Sequence, residues 1–191
     1  WAVTQGIGVL PQLGVGGWLL LVLGVLLRSL TNYGVHFAMH KIPVLWRLHR
    51  VHHSDTELDV SSAVRFHPLE FAVQVPVSLA TIVAFGVPPV AIILYELLDA
   101  FMAVWTHANI RLPLGVERII GTILVTPSMH RIHHSSHWLE TDSNYGATLS
   151  IWDRLFRTLR DKSHAEQAGM ELGLEECQDA RSSNLLWLLI L

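Results

Sequence analysis

Twelve histidines in 191 residues set this chain apart, because eight of them fall into three tight groups. His36 and His40 form a His-x3-His. His49, His52 and His53 form a His-x2-His-His, and His130, His133 and His134 repeat it near the far end. On a helix, positions i, i+3 and i+4 share one face. Each group is therefore expected to aim two or three imidazoles at one point, where neutral nitrogens can grip a metal ion. A surface tract that binds metals loosely is the competing reading. Two copies of one spacing plus a His-x3-His argue against it. With His107 the set reaches nine, which exceeds what one ion holds and suits two ions at about four to six ligands each. The chain has no Glu-x2-His and no His-Glu-x2-His, so neither the carboxylate-bridged bundle class nor a zincin is supported. Imidazole alone suits Zn, Cu, Fe or Ni.

The elements that must position these residues are apolar. The chain is 51% hydrophobic and 15% charged, and its mean hydropathy is +0.39. Its length fits one domain. It begins at Trp1 without an initiator Met, so a fragment lacking the true N-terminus is expected. The single Cys177 excludes an internal disulfide and a cysteine-rich metal site. The net charge of −3 and the lack of a long basic run give no sign of nucleic acid as a partner.

Residues 1–27 carry no charge, and Ile7 to Leu27 is long enough to cross a bilayer as a helix. A signal peptide would need a basic start and a small-residue cleavage site, and neither is clear. Arg28 is expected to end the run. Pro43 is expected to separate two short helices, one with His36 and His40 and one with His49, His52 and His53. A second uncharged run, broken at Pro88 and Pro89, predicts a hairpin of Leu69 to Val87 and Val90 to about Thr106. An even number of crossings then leaves His67 and His107 on one face, with Arg28, Lys41, Arg47, Arg50, Arg65, Arg111, Arg118 and Arg131. The positive-inside rule makes that face cytoplasmic. Ile119 to Val125 is too short to span and reads as re-entrant or interfacial. Residues 151–159, IWDRLFRTL, read as an amphipathic helix. The expected class is an all-α integral membrane protein. A catalytic domain would cover residues 1–160, and residues 161–191 would be a polar tail with a short apolar end. An all-histidine, two-metal centre at a membrane face leans towards iron and oxygen chemistry on a lipid.

Longer motifs carry a resemblance. They run from Tyr33, His36 and His40 through Leu45-Trp46-Arg47, His49 and His52-His53-Ser54 to Arg65-Phe66-His67-Pro68. They continue through His107-Ala108-Asn109, Thr126-Pro127, His130-Arg131-Ile132-His133-His134-Ser135, Asn144-Tyr145-Gly146 and Trp152-Asp153-Arg154-Leu155-Phe156. In order and spacing they resemble the fatty acid hydroxylase/sterol desaturase superfamily of membrane di-iron enzymes, over about residues 29–160. The resemblance implies that His36, His40, His49, His52, His53, His107, His130, His133 and His134 hold two iron ions, with zinc as an adventitious occupant. It also implies O2 as co-substrate, a lipid entering from the bilayer, and an electron donor such as a cytochrome b5-like or ferredoxin-type protein. The reaction would be lipid hydroxylation, or desaturation on the same centre. Relatives commonly carry Asp where this chain has Ser29 and Arg where it has Phe37. Their tail motif usually runs Phe-Gly-Thr, where this chain has Arg157.

Four residues are candidates for supporting contacts. His67 stands between a ligand or supporting role and simple packing. Asn109 belongs to the His107 motif. Glu96 and Asp99 are acids inside an apolar helix, functional candidates by default, or partners of a neighbouring helix. His137 and His164 read as surface histidines. A histidine-lined metal transporter would need its ligands at mid-membrane depth, and a haem protein would need only two axial histidines.

Overall fold

The computed structural model describes residues 3–190. Trp1, Ala2 and Leu191, the ends of the uncharged start and of the closing LLWLLIL run, lie outside the described residues. The helices in chain order are α1 (Val9–Gln12), α2 (Gly17–Lys41), α3 (Pro43–His53), α4 (Glu70–Phe85), α5 (Pro89–His107), α6 (Leu114–Ile120), α7 (Pro127–His133), α8 (Trp138–Thr141), α9 (Ile151–Leu155), α10 (His164–Gln167) and α11 (Leu185–Leu188). Among the described residues there is no β-strand, only the isolated bridges Leu124–Leu149 and Ser135–Leu172. The all-helical expectation holds.

The first long helix differs from the expected one. The run from Ile7 does not form one helix, because Gly14 after α1 and Gly17 at the start of α2 take positive φ. Helix α2 then continues through Arg28 for 25 residues to Lys41 and carries His36 and His40 itself. Arg28 does not end it. Its side chain is 4% exposed and donates to Glu96 Oε1 at 2.6 Å and to Ser78 Oγ at 3.0 Å. A paired arginine leaves the helical backbone intact, and no proline intervenes before Pro43. Arg28 also lies two turns before His36, so it does not belong with the charges at the histidine end.

The hairpin is present as α4 and α5, turned by Gly86 in the left-handed conformation. Both pack against α2. At the turn, Gly8 meets Gly86 so closely that a Cβ on Gly8 would lie 2.2 Å from the Gly86 nitrogen. The residues before α2 therefore sit at the hairpin end, opposite the histidines. Helices α2 and α5 are long and apolar enough to cross a membrane, whereas α4 has 16 residues. Apolar side chains point outward from this trio. Phe71, Val75, Leu79 and Val83 form an exposed stripe at fourfold spacing on α4, and Ile93, Leu97, Phe101 and Val104 line α5. Polar Arg28 and Ser78 are buried between the helices, where they bond to each other, and Thr106 is buried too. Polar inside and apolar outside suits lipid as the surrounding solvent.

At the other end, short segments cover the histidines. Helix α6 and the turn after it expose Leu114, Ile119 and Ile123, as an interfacial piece would. The expected amphipathic helix over residues 151–159 stops at Leu155, because Arg157 turns to φ 60°. Its Asp153 is buried and accepts from the backbone N–H of Tyr145 and Gly146 at 2.8 Å each. The motif-free tail is not detached. Ser136 N–H donates to Glu171 O at 2.9 Å, Gly173 N–H donates to His134 O at 3.1 Å, and Leu172, Leu174 and Cys177 are buried.

Candidate metal centre

Four elements bring the nine histidines together. Helix α2 supplies His36 and His40 from its last turns, and α3 supplies His49, His52 and His53. His107 is the last residue of α5. Helix α7 supplies His130 and His133, with His134 as its C-cap. Local chemistry sets the start of the two short helices. Pro43 opens α3, and Pro127 opens α7 behind Thr126, whose hydroxyl accepts from Met129 N–H.

The nine form two groups: His36, His40, His49, His53 and His133; and His52, His107, His130 and His134. Within each, one ring nitrogen per residue lies within 4.8 Å of all the others. The expected motif-by-motif convergence is corrected here. Each His-x2-His-His divides between the groups. In α3 the i and i+4 members, His49 and His53, join the first group, and His52 joins the second. In α7 the pair His130 and His134 joins the second group, and His133 joins the first. Residues i+3 and i+4 differ by about 100° around a helix of 3.6 residues per turn, so adjacent histidines can serve two neighbouring points.

Backbone carbonyls and one carboxylate orient the rings. A carbonyl can only accept, so the Nδ1–H donates. His36 donates to Tyr145 O at 2.7 Å, His133 to Ser143 O at 2.6 Å, His107 to Ala103 O at 2.7 Å and His52 to Arg65 O at 3.3 Å. His49 Nδ1–H donates to Glu70 Oε2 at 2.9 Å. Each such bond fixes the tautomer and leaves Nε2 as a bare lone pair. Burial first, and neighbouring imidazoles after it, hold His52, His53, His130 and His134 well below the ordinary histidine pKa. Burial brings His133 down to about 3. These rings are neutral at pH 7.

This donor set fits metal ions. Nε2 of His133 faces Nε2 of His36 at 3.1 Å, and Nε2 of His52 faces Nε2 of His107 at 3.3 Å. All four rings have their proton on Nδ1, so each pair sets lone pair against lone pair. Both nitrogens of His40 and His53, and Nε2 of His49, are buried without a hydrogen-bond partner. Buried polar atoms are normally satisfied, and a cation at the centre of each group would satisfy these. Nitrogens about 2.0–2.1 Å from a shared ion, as imidazole is from zinc, lie at most about 4 Å apart, close to the observed spread.

A cavity of about 120 Å³ between α2, α4 and α5 reaches the histidines, with Val35, Met39 and Phe66 among its walls beside His36, His52, His107 and His130. Asp99 lines it. Glu96 does not, and pairs with Arg28 instead. His67 lies outside both groups. Its Nδ1 accepts from Leu69 N–H at 3.2 Å and its Nε2 meets Leu189 O at 3.3 Å, while its backbone N–H donates to Glu70 Oε1 at 3.2 Å. Asn109 and His137 are exposed away from the groups. Glu70 was not singled out in the sequence, where it reads as one acid in a polar connection. Its place as the first residue of α4, three residues after His67, is the only local signal. Tyr145, fully buried, stacks edge-on against His40 at 5.2 Å between ring centroids and donates to Asp142 at 2.6 Å. Two residues that depart from the common pattern have partners. Trp152 Nε1–H donates to Ser29 Oγ at 3.0 Å, and Phe37 lies against Tyr145 at 5.1 Å.

A helical bundle with buried, all-imidazole clusters at one end defines a class, and sequence comparison gives the same answer. A model of the fatty acid hydroxylase family matches residues 21–158. The chain belongs to that family. It is 31% identical over 140 residues to the ornithine lipid hydroxylase OlsE of Rhizobium tropici, covering 73% of this chain and 41% of the relative. It is 32% identical over 143 residues to the alkylglycerol monooxygenase of Xenopus tropicalis, covering 74% of this chain and 30% of the relative. A cholesterol 25-hydroxylase-like protein of Danio rerio is 31% identical over 130 residues, covering 65% of this chain and 49% of the relative. The chain thus spans less than half the length of each of these relatives. No solved structure matches it.

Proposed function

We propose that the chain is a membrane-bound oxygenase that hydroxylates a C–H bond of a lipid, using O2 and electrons from an external donor such as a cytochrome b5-like or ferredoxin-type protein. The observation that carries this is a pair of adjacent imidazole-only clusters beside a largely apolar-walled cavity between outward-apolar helices. Relatives named for hydroxylation and monooxygenation of lipids favour iron over zinc, which has no redox chemistry.

His36, His40, His49, His53 and His133 would hold one ion, and His52, His107, His130 and His134 the other. The chemistry that bound iron supplies is activation of O2 for attack on a C–H bond. The protein's own part is positional. Glu70 and the four carbonyls keep Nε2 of His36, His49, His52, His107 and His133 aimed inward. Val35, Met39, Ala103 and Phe66 exclude water from the cavity and confine an acyl or alkyl chain. No side-chain nucleophile is required. Lys41, Arg47, Arg50, Arg65 and Arg131 lie on elements at the histidine end, which supports a cytoplasmic site.

The test is incubation of membranes with 18O2 and a reductant, followed by lipid mass spectrometry, with His133→Ala as control. One 18O atom in the product is the expected result. Loss of two hydrogens without oxygen would indicate desaturation. No O2-dependent change, in protein shown to contain iron, would overturn both. Sidedness is read separately in a Cys177→Ser background. A cysteine at exposed Leu13 should react from the outer side and one at exposed Trp138 from the cytoplasm; the reverse pattern would invert the placement.

A further inference from the structure

Polar side chains from three apolar helices meet at the cavity wall about one helical turn from His36, counted from Asn32 on α2. Gln74 Nε2–H donates to Asn32 Oδ1 at 3.0 Å, and Asn32 Nδ2–H donates to Asp99 Oδ1 at 3.1 Å. Tyr95 O–H donates to the same Oδ1 at 3.1 Å. Gln74, Asn32 and Asp99 all line the same cavity as His36, His52, His107 and His130. The chain of bonds ends unbalanced. Every donor in it is directed at one oxygen of Asp99 or at Asn32. Among the described residues, Asp99 Oδ2 and Gln74 Oε1 receive nothing; neither oxygen is fully buried, and both residues line the cavity. Arg28, the nearby cation, gives Nη1 to Ser78 and Nη2 to Glu96, and its buried Nε makes no hydrogen bond to Asp99. An acceptor that faces a membrane cavity without a donor is costly. Bonds between helices alone would explain Oδ1, and they leave Oδ2 unused.

We infer that this wall selects the substrate: the cavity takes lipids that carry a hydrogen-bond donor, a hydroxyl or an amide N–H, which Asp99 Oδ2 and Gln74 Oε1 accept. This rests on the lipid-oxygenase reading above and narrows its substrate class. A plain hydrocarbon chain would leave both acceptors dry. A lipid with a donor satisfies them and is thereby held in one register, which fixes the carbon presented at the histidines. Asp99 and Gln74 act as specificity residues and take no part in bond cleavage.

The test is equilibrium binding by the full metal-free chain in detergent micelles, read by displacement of a fluorescent lipid. Two matched pairs serve as probes: 1-O-hexadecylglycerol against its di-O-methyl ether, and N-hexadecylacetamide against its N-methyl derivative. The donor-bearing member of at least one pair should bind about tenfold tighter or more. In Asp99→Asn that ratio should fall to within about twofold of one, with the melting temperature showing a folded protein. Asn keeps the Oδ1 acceptor and converts Oδ2 into a donor. If Asp99→Asn does not fold, Gln74→Leu replaces it, with the same loss of preference expected. Equal binding within both pairs, or a preference unmoved by the variant that folds, overturns the inference and leaves the lipid-oxygenase reading intact. Failure of all four probes to displace the lipid, in protein that turns over with 18O2, also overturns it. The same failure without turnover removes the underlying reading as well.

Discussion

His49 and Glu70 form a buried donor–acceptor pair, with Nδ1 and Oε2 2.9 Å apart and each side chain 5% exposed. Glu70 also accepts from the backbone N–H of His67 through its other oxygen, so both carboxylate oxygens are engaged. The bond keeps the proton on Nδ1 and Nε2 open towards the first group of histidines. Supporting carboxylates of this kind typically change metal affinity by about 10–100-fold. Glu70→Ala should weaken metal binding in that range, measured by competition with a chelator. Glu70→Gln still offers an amide oxygen to His49 and should lose less. Wild-type affinity in Glu70→Ala would show that the pair is only a packing contact.

Neutrality of the buried imidazoles makes the metal-free chain acid-sensitive. His133 has its pKa at about 3 when folded, against about 6.5 when unfolded. Below the unfolded value the unfolded chain binds a proton that the folded chain refuses, so stability falls as pH drops from about 6.5 towards the folded value. In that window one such group costs about 1.4 kcal/mol per pH unit, and His52, His53, His130 and His134 act in the same direction. Denaturation of the apoprotein in detergent should show little change from about pH 7.5 to 6.5 and a marked loss from about pH 6.5 to 4.5. A flat profile would mean that the rings are already solvated.

Arg157 holds φ 60°, a conformation that suits glycine, at the position where the family's tail motif usually has glycine. It is exposed, and its side chain makes no hydrogen bond among the described residues. The strain of an L-residue there is about 1 kcal/mol. Arg157→Gly relieves that strain but adds about 0.4–1 kcal/mol of unfolded-state entropy, so stability should rise only slightly, by about 0.5 kcal/mol or less. Thermal unfolding in detergent checks it, and a lower melting temperature would show that the guanidinium makes a contact worth more than the strain.

Much of the site was legible because histidine spacing is a local property. His36 and His40 one turn apart, and two copies of His-x2-His-His, identify the converging residues without any tertiary information. What the spacing could not carry is the division of each motif. Whether His133 follows His130 or crosses to His36 depends on how α7 lies against α2 and α3, and that is set by contacts about 80–100 residues apart. Glu70 was invisible for a related reason: a lone acid in a polar connection has no period, and its partner lies 21 residues away. The continuity of α2 is not legible in the sequence, because a charge at the end of an apolar run reads as its boundary. Arg28 is tolerated inside because Glu96, on a different helix, meets it.

The division of the motifs makes a prediction that separates two centres from one. His53 and His133 lie in one group, and His130 and His134 in the other. If each group holds its own ion, the wild-type chain should carry close to two iron ions after anaerobic loading. His53→Ala with His133→Ala removes two of the first group's five nitrogens and leaves the second group's four untouched. His130→Ala with His134→Ala does the converse. Each double variant should retain close to one ion, and the remaining ion should report a different histidine set by spectroscopy. The control is His133→Ala with His134→Ala, adjacent residues in opposite groups. It takes one ligand from each, leaving four and three, so both ions should be weakened together and neither lost alone. Metal analysis distinguishes the arrangements, because sequence adjacency and spatial grouping forecast opposite results for His53→Ala with His133→Ala and for the control. Loss of both ions in His53→Ala with His133→Ala, with one retained in His133→Ala with His134→Ala, would show that each motif acts as a unit and that the spatial division is wrong.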